Sequence, residues 1–423
     1  MLTSRSPRLS SALLILILTG CGSYSDSTRR SRLALLSGRG QEAVNHLDTQ
    51  LEASSGEAEE VLLHLERGLA LQQIGNYRDA VKDLMFADDK LEVMEYTSAT
   101  LKELGAYLYS DDSAPYKAPP AEKALVNVLN LLNFMFLNEW SKAKVEVRRL
   151  AVLESFWGEN LSPELGDELV GLKRFIHWLS AFTFLANGDQ LSATKEAERG
   201  QFKLPSAPDR ALGQRYSPVL VISSAGMVPH KVAQRLPLGR ALLYIGPQPH
   251  WSPKERASLA RIQAKGLVKW VNFPTLSAPV SPPSERLEIG EVSAQSTAVV
   301  HLSGLIRREF ERAQPLLMTA AISRLITRAL IGGVTESIAK SRSNRAIGLL
   351  VGLIAEGTMA SADTPDTRSW SSLPATLRLY WLWLPPGEHE LKVHRGSRLW
   401  RERVRVTGQG EAHVYHLPIF IKP

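Results

Sequence analysis

The single cysteine of this 423-residue chain, Cys21, is the feature that most constrains its fold. One cysteine cannot form a disulfide within the chain, so burial of apolar surface and hydrogen bonds must stabilise the folded state. The composition allows this, because 44% of the residues are hydrophobic and the length predicts two or three domains. We therefore expect folded domains without covalent cross-links rather than a disordered chain.

Cys21 also ends a pattern typical of an export signal. Arg5 and Arg8 precede a short apolar run, and the residues at positions 18–21 resemble the lipobox of bacterial lipoproteins. Cysteine is required there because its thiol accepts a diacylglycerol. We expect residues 1–20 to be a signal peptide and Cys21 to carry diacylglycerol and an acyl chain. The alternative is a short transmembrane helix, for which the apolar run is too short.

The residues after Cys21 predict where the protein is anchored. Gly22 stands where an aspartate would be associated with retention in the inner membrane. We therefore expect sorting to the outer membrane, with the protein facing the periplasm. Residues 21–32 are polar and lack periodicity, which predicts a lipidated tether that gives reach from the membrane.

The two halves of the chain differ in charge. Residues 1–200 hold 21 Lys+Arg against 28 Asp+Glu, whereas residues 201–423 hold 29 against 15. The halves could attract each other, or the basic half could face anionic lipid headgroups or an anionic polymer. Because an exported chain leaves the cytoplasm, a nucleic-acid partner is not expected.

Helical periodicity predicts a helical domain over residues 33–204. One turn in this domain resembles the tetratricopeptide repeat, a helix–turn–helix unit of about 34 residues. The residues that carry the resemblance are Gly68, Gly75, Tyr77, Ala80 and Ala87. The small residues allow two helices to cross closely, and Gly75 can end the first helix in a left-handed conformation. His64 and Glu92 depart from the repeat, which favours tryptophan and proline there.

Further copies of this turn support an array of helical hairpins. Residues 38–44 align with residues 75–81 at an offset of 37 residues, and related turns occur at 138–143 and 187–193. The alternative is an ordinary helical bundle whose turns use glycine and asparagine. Prolines within 111–120 are expected to break the array into two parts.

The chain changes character after residue 204. Proline-rich loops and short apolar runs predict a mixed α+β region over 205–314. Two strongly apolar runs, residues 316–331 and 346–360, predict a helical hairpin over residues 315–363, which contains Arg324, Arg328 and Glu356. Charges inside a membrane span are costly. We therefore expect helices packed on the other domains, with an interfacial or pore-forming membrane role as the alternative.

Residues 364–423 predict a C-terminal β-module, because apolar residues alternate along successive short runs. Arg401, Arg403 and Arg405 share one face of a predicted strand. The simpler interpretation is a solvated edge that discourages aggregation. The alternative is contact with an anionic surface, either lipid headgroups or the chain's own acidic helices.

Two segments extend the resemblance to known families. Residues 384–393 are similar to the PEGA-type β-modules of exported bacterial proteins. Thr367–Trp370, followed by Leu373–Pro374, resembles a junction in a family of bacterial lipoproteins with a tetratricopeptide-like N-terminal half and a small C-terminal β-module. The resemblance would cover most of the mature chain. It implies this architecture and an envelope location, and it carries no biochemical activity.

Patterns typical of catalysis are missing from the sequence. His413 and His416 lie three apart in a predicted strand and therefore point to opposite faces, and Ile222 replaces the first glycine of a nucleophile elbow. We expect no enzyme, metal or cofactor, but a lipid-anchored scaffold that binds a protein or peptide on the concave face of its helices. The alternatives are a membrane-assembly or export component that uses residues 316–360, and an envelope-polymer hydrolase.

Overall fold

The computed structural model describes residues 23–54, 59–97, 116–161, 163–207, 216–237, 240, 270–290, 292–331, 365–407 and 410–419. The predicted signal peptide, Cys21 and residues 332–363 of the predicted apolar hairpin lie outside these ranges. Helices come first along the described chain and strands in sheets follow, as the sequence predicts, so the protein is a mixed α/β structure.

The first half forms helical hairpins. Its helices are Tyr24–Ser27 (α1), Arg29–Leu36 (α2), Gly40–Ser54 (α3), Glu60–Gln73 (α4), Tyr77–Thr97 (α5), Pro120–Phe136 (α6), Trp140–Asn160 (α7), Pro163–Glu168 (α8), Val170–Ala186 (α9) and Gln190–Arg199 (α10). Helix α2 packs on α3, α4 on α5, α6 on α7 and α9 on α10, so short turns connect helices that are also neighbours in space.

The same turn ends the first helix of these four hairpins. A residue with positive φ stands at the turn in each case: Gly38, Gly75, Asn138 and Gly188. At Gly75 its N–H donates to the Gln72 carbonyl and the Asn76 N–H donates to the Leu71 carbonyl, and the other three turns repeat both bonds. This is the Schellman arrangement, which satisfies carbonyls left unpaired at a helix end. Five residues after each turn an alanine is fully buried, at positions 43, 80, 143 and 193.

The second half forms two larger sheets and one small sheet. The strands are Ser217–Ala225 (β1), Lys231–Pro237 (β2), Trp270–Leu276 (β3), Glu285–Ile289 (β4), Val292–Ala294 (β5), Ala298–His301 (β6), Thr376–Leu384 (β7), Gly387–Arg395 (β8), Arg398–Val406 (β9) and His413–Leu417 (β10). The first sheet has the order β10-β1-β7-β6, the second β5-β4-β8-β9, and β2 pairs with β3 alone. Strand β1 is parallel to β10 and antiparallel to β7.

The first sheet is the middle of three layers. Because strand side chains alternate between faces, Leu220, Ile222 and Leu379 join the core of the helical hairpins, whereas Val219, Val221 and Tyr380 pack on the second sheet. Contacts between rings tie the layers together: Phe182 lies 4.9 Å from Trp381 between centroids. The chain's own sheet therefore covers the helical face on which we expected a peptide partner.

The predicted tether is wrong for residues 23–32, which form α1, α2 and their flanking residues. Tyr24 and Ser25 are buried, and the Ser25 N–H donates to the Thr367 hydroxyl at 3.2 Å. Arg32 is buried as well and donates to the Ser25 carbonyl at 2.7 Å. The sequence pattern missed this because some of the partners that fix these polar residues, Thr367 and Ser371, lie more than 300 positions away.

The predicted boundary at 314/315 does not separate structural units, and the middle region is not separate from the predicted β-module. One helix, Leu302–Ile331 (α11), runs across that boundary with Pro315 inside it. The middle region and the predicted β-module share both larger sheets, since β1 pairs with β7 and β4 pairs with β8. Within the described residues, we find no helix whose length and apolarity would let it cross a membrane.

Candidate interaction site

An open groove of about 700 Å³ lies where the first helical turns meet the sheets. Leu35, Gly38–Glu42, Gln73 and Ile74 form one wall, and Trp400, Pro418 and Ile419 form the other. Its lining includes apolar residues from both walls and the polar residues Arg39, Gln41, Glu42 and Gln73.

The helical wall depends on a close approach of two turns. A Cβ atom added at Gly40 would lie 2.3 Å from Cγ2 of Ile74, so a larger residue at the start of α3 would force the Ile74 side chain to move. Ile74 nevertheless remains 39% exposed. A partly exposed isoleucine in a hydrogen-bonded turn is an apolar contact that a ligand or partner could use.

Hydrogen bonds to helix α4 and strand β8 fix the opposite wall. The Ile419 N–H donates to Oε1 of Gln73 at 2.7 Å. Arg395 donates to the carbonyls of Pro418 and Ile419 at 2.5 and 3.1 Å. The segment after β10 is therefore clamped between the helices and the second sheet.

Strand β9 borders the groove and is an edge of the second sheet. The structure places Arg401, Arg403 and Arg405 together on its exposed face, as the alternation predicts. Glu390 of β8 stands opposite Arg403 and Glu388 opposite Arg405, whereas Arg401 faces Lys392. Two of the three arginines thus have a carboxylate directly across the strand pair, which the sequence alone did not indicate.

Four of the residues that carry the repeat resemblance pack against neighbouring helices, whereas Gly75 is exposed at the turn. Ala80 and Ala87 are fully buried, and a Cβ at Gly68 would lie 3.0 Å from the Leu84 side chain. Gly75 has φ +84°. Tyr77 packs on Phe136 at 4.7 Å between ring centroids, and burial raises its pKa to about 12. These residues shape the hairpin beneath the groove and do not line it.

A buried polar junction joins the start of α2 to the segment before β7. Glu66 on α4 accepts hydrogen bonds from the Ser371 N–H, the Ser371 hydroxyl and the Ser372 N–H at 2.7, 2.6 and 3.1 Å. Burial raises the pKa of Glu66, although these hydrogen bonds and Arg32 oppose the shift. The junction positions the N-terminal helices on the rest of the molecule.

Two further carboxyls are buried beside this junction. Burial raises the pKa of Glu122 to about 7, against hydrogen bonding from Tyr116. Burial raises the pKa of Glu309 to about 8, although its carboxyl accepts the Ala121 N–H at 3.1 Å. Perturbed carboxyls can mark catalytic sites, but neither of these lines the described groove.

A second buried cluster holds the two larger sheets together. The Glu285 carboxylate pairs with Arg395 at 2.6 Å and accepts hydrogen bonds from Ser223 and Tyr380 at 2.7 and 3.0 Å. Its members come from β1, β4, β7 and β8, which alternation along one strand could not reveal.

No protein-family description, no curated protein sequence and no solved structure matches this chain. The described residues contain no group of three or more His, Cys, Asp or Glu arranged to hold a metal ion.

Proposed function

We propose that this protein is a lipid-anchored scaffold of the outer membrane that faces the periplasm and binds a protein partner without catalysing a reaction. In this proposal Cys21 carries the lipid and the hairpins around Gly68, Gly75, Tyr77, Ala80 and Ala87 are tetratricopeptide-like. The observation that carries it is the groove, in which the partly exposed Ile74 and Trp400 lie beside hydrogen-bonded helical turns.

The groove suits a protein partner better than the inner face of the helices does. That inner face is covered by Leu220, Ile222 and their neighbours from the first sheet. Apolar and aromatic side chains at the centre of a patch, with polar groups around them, are typical of protein–protein contacts. Ile74 and Trp400 provide this centre, and Arg39 and Gln41 provide the polar rim.

Because the start of α1 is buried, we infer that a lipid on Cys21 would hold the folded protein close to the membrane. Ser23 is the second residue after Cys21, and two residues span at most about 7 Å. Tyr24 and Ser25 are already packed in the core. A lipid on Cys21 would therefore place this corner of the protein beside the headgroups, without an intervening flexible tether.

Fractionation of the full chain and of Cys21→Ser tests the anchor. We expect the parent chain to co-sediment with outer-membrane markers in a sucrose gradient and Cys21→Ser to leave the membrane fraction. Sedimentation with inner-membrane markers would contradict the sorting. Retention of Cys21→Ser would favour the alternative of a membrane-assembly component that uses residues 316–360.

Site-specific crosslinking tests the groove. A photo-reactive amino acid at Ile74 is expected to trap a discrete partner in cells, whereas the same group at Leu191 is not. Leu191 is a suitable control because it is 68% exposed on α10, away from the groove. Equal products from both positions would remove the support for a partner site.

A further inference from the structure

The open side of strand β9 has backbone groups directed away from its neighbour. Among the described strands, β9 pairs only with β8. In this pair, Arg395 stands opposite Arg398 next to the turn that connects the two strands. The Arg405 carbonyl accepts a hydrogen bond from the Tyr415 hydroxyl at 3.0 Å, so it points away from β8. The backbone N–H and C=O groups of successive strand residues point alternately to the two sides of the strand. Those of Arg401 and Arg403 therefore point away from β8, like the Arg405 carbonyl.

The exposed face of the strand is strongly basic. Arg401, Arg403 and Arg405 are exposed, and alternate residues of a strand lie about 7 Å apart. The carboxylates Glu388 and Glu390 lie on β8, on the paired side. A strand added at the open side would lie beside Arg401 and Arg403 and end near Arg405, whose carbonyl already accepts the Tyr415 hydroxyl. These guanidinium groups favour acidic residues at alternate positions of the added strand.

The other face of β9 leads to the groove. Trp400 lines the groove and packs against the core between the sheets, and Glu402 is half-buried on the same face. Side chains of an added strand that point inward would therefore meet an indole, a shielded carboxylate and the apolar wall near Ile74. Apolar residues fit there and acidic residues do not.

We propose that β9 accepts an extended acidic segment of a partner protein as an additional strand, with the segment's inward apolar side chains entering the groove beside Trp400. This inference rests on the proposed role of the groove as a partner site, and it names the partner's chemistry. Main-chain hydrogen bonds would supply affinity, and the alternation of acidic and apolar side chains would supply specificity.

Binding of designed peptides to the soluble full chain carrying Cys21→Ser tests the proposal. The probe is a fluorescent peptide that alternates glutamate and valine, and anisotropy reports binding at low salt. The controls are a lysine–valine peptide and a peptide of the same composition with its glutamates in one block. We expect binding of the alternating acidic peptide alone. Equal binding of the block peptide would overturn strand addition.

Two sets of variants distinguish the contribution of the arginine charges to peptide binding from that of the backbone hydrogen bonds. Replacement of Arg401, Arg403 and Arg405 by glutamine should weaken binding about tenfold, because the ion pairs with the added strand are lost. A control, Arg148→Gln with Arg174→Gln, removes two exposed charges from α7 and α9 and should leave binding unchanged. Unchanged binding by the triple variant would overturn the proposal.

The backbone test compares Arg401→Pro with Arg401→Gln. Both remove the charge, but only proline removes the N–H that points to the open side, and edge strands tolerate proline there. We expect about fivefold weaker peptide binding by Arg401→Pro than by Arg401→Gln, with equal thermal stability. Equal binding by the two variants would show that the peptide does not add as a strand.

Two other occupants of β9 give distinguishable results. Binding of the parent, but not of the triple glutamine variant, to phosphatidylglycerol vesicles without peptide binding would identify lipid headgroups and overturn the proposal. A dimer that the triple variant loses would identify a second copy and overturn it too. Loss of peptide binding with an intact Ile74 crosslink would leave the proposed function standing and remove only this inference.

Discussion

The helical hairpins and the packed sheets are held together over very different distances along the chain. In three hairpins a side chain of the first helix bonds an acidic side chain nineteen residues later: His64 with Asp83, Asn127 with Glu146 and His177 with Glu196. The first sheet instead places β1 between β7 and β10, so it brings together segments from distant parts of the chain. Each hairpin is specified by neighbouring sequence, whereas the sheets exist only when distant segments meet.

This contrast predicts where substitutions act. A change inside a hairpin should disturb two helices and leave the sheets intact. A change in the cluster between the sheets should loosen strands from several parts of the chain at once. The following substitutions test that difference in the soluble full chain carrying Cys21→Ser.

The largest effect is expected for Arg395→Ala. It would leave the buried Glu285 carboxylate without its closest cation, which costs about 3–5 kcal/mol of unfolding free energy. Urea denaturation measures the loss. Lys82→Ala is the control, because Lys82 pairs with Asp79 at the exposed surface of α5 and should change stability by about 0–1 kcal/mol. Similar losses in both variants would show that the cluster between the sheets contributes no more to the free energy of unfolding than a surface ion pair does.

Ala80→Trp should have the next largest effect. Ala80 is fully buried where α4 and α5 pack, so overpacking is expected to cost about 1–3 kcal/mol. Thermal unfolding measures the change, and Met85→Trp on the same helix is the control because Met85 is 42% exposed. A stable Ala80→Trp variant would argue against close helix crossing at this position, and with it against the repeat assignment.

Gly75→Ala should cost about 1–2 kcal/mol, because alanine is strained at the left-handed φ of +84°. Gly75→Asn should cost less, since Asn138 adopts φ +57° at the equivalent turn of another hairpin. Comparing the two melting temperatures tests whether the four turns are equivalent. If both variants lose the same stability, the glycine is required for something other than its φ angle.

Protonation of buried groups should make stability depend on pH, with His416 of a strand and His177 of a hairpin helix acting in opposite directions. Burial and then Arg395 lower the pKa of His416 to about 3, so its contribution to stability is lost as pH falls below about 6.5. Burial opposes charge on His177, but Glu154 and Glu196 raise its pKa to about 9. The contribution of His177 is present below about pH 6.5 and is lost as pH rises through 9. Glu122 and Glu309, with pKa values raised to about 7 and 8, also lower stability as pH rises.

Melting temperatures across pH check these signs. His416→Asn should flatten the acid side of the profile, and His177→Gln should flatten the alkaline side. His394→Asn is a suitable control on the second sheet, since that ring is partly exposed beside Glu288. An acid side that His416→Asn leaves unchanged would contradict the assignment to His416.

The sequence predicted those structural features that depend on residues close together along the chain. The turn at Gly75, its relatives at 38, 138 and 188, the buried alanines and the alternation of β9 all follow from local patterns. The groove could not be predicted, because its walls meet only when Trp400 and Ile419 fold against turns near the start of the chain. The tether was misjudged for the same reason: Ser23–Thr28 is polar, and Thr367 and Ser371 supply the contacts that order this part of the chain.

If the protein is exported as proposed, the place of β1 between β7 and β10 affects the order in which its parts can fold. A chain that crosses a membrane from its N-terminus delivers the hairpins first, and these can close as they emerge because their contacts are local. The apolar face of the hairpins then stays exposed until β7 and β10 have also crossed the membrane and can pair with β1. We expect this interval to be the time of greatest risk of aggregation, and any periplasmic holding factor to act on the hairpins before the strands arrive.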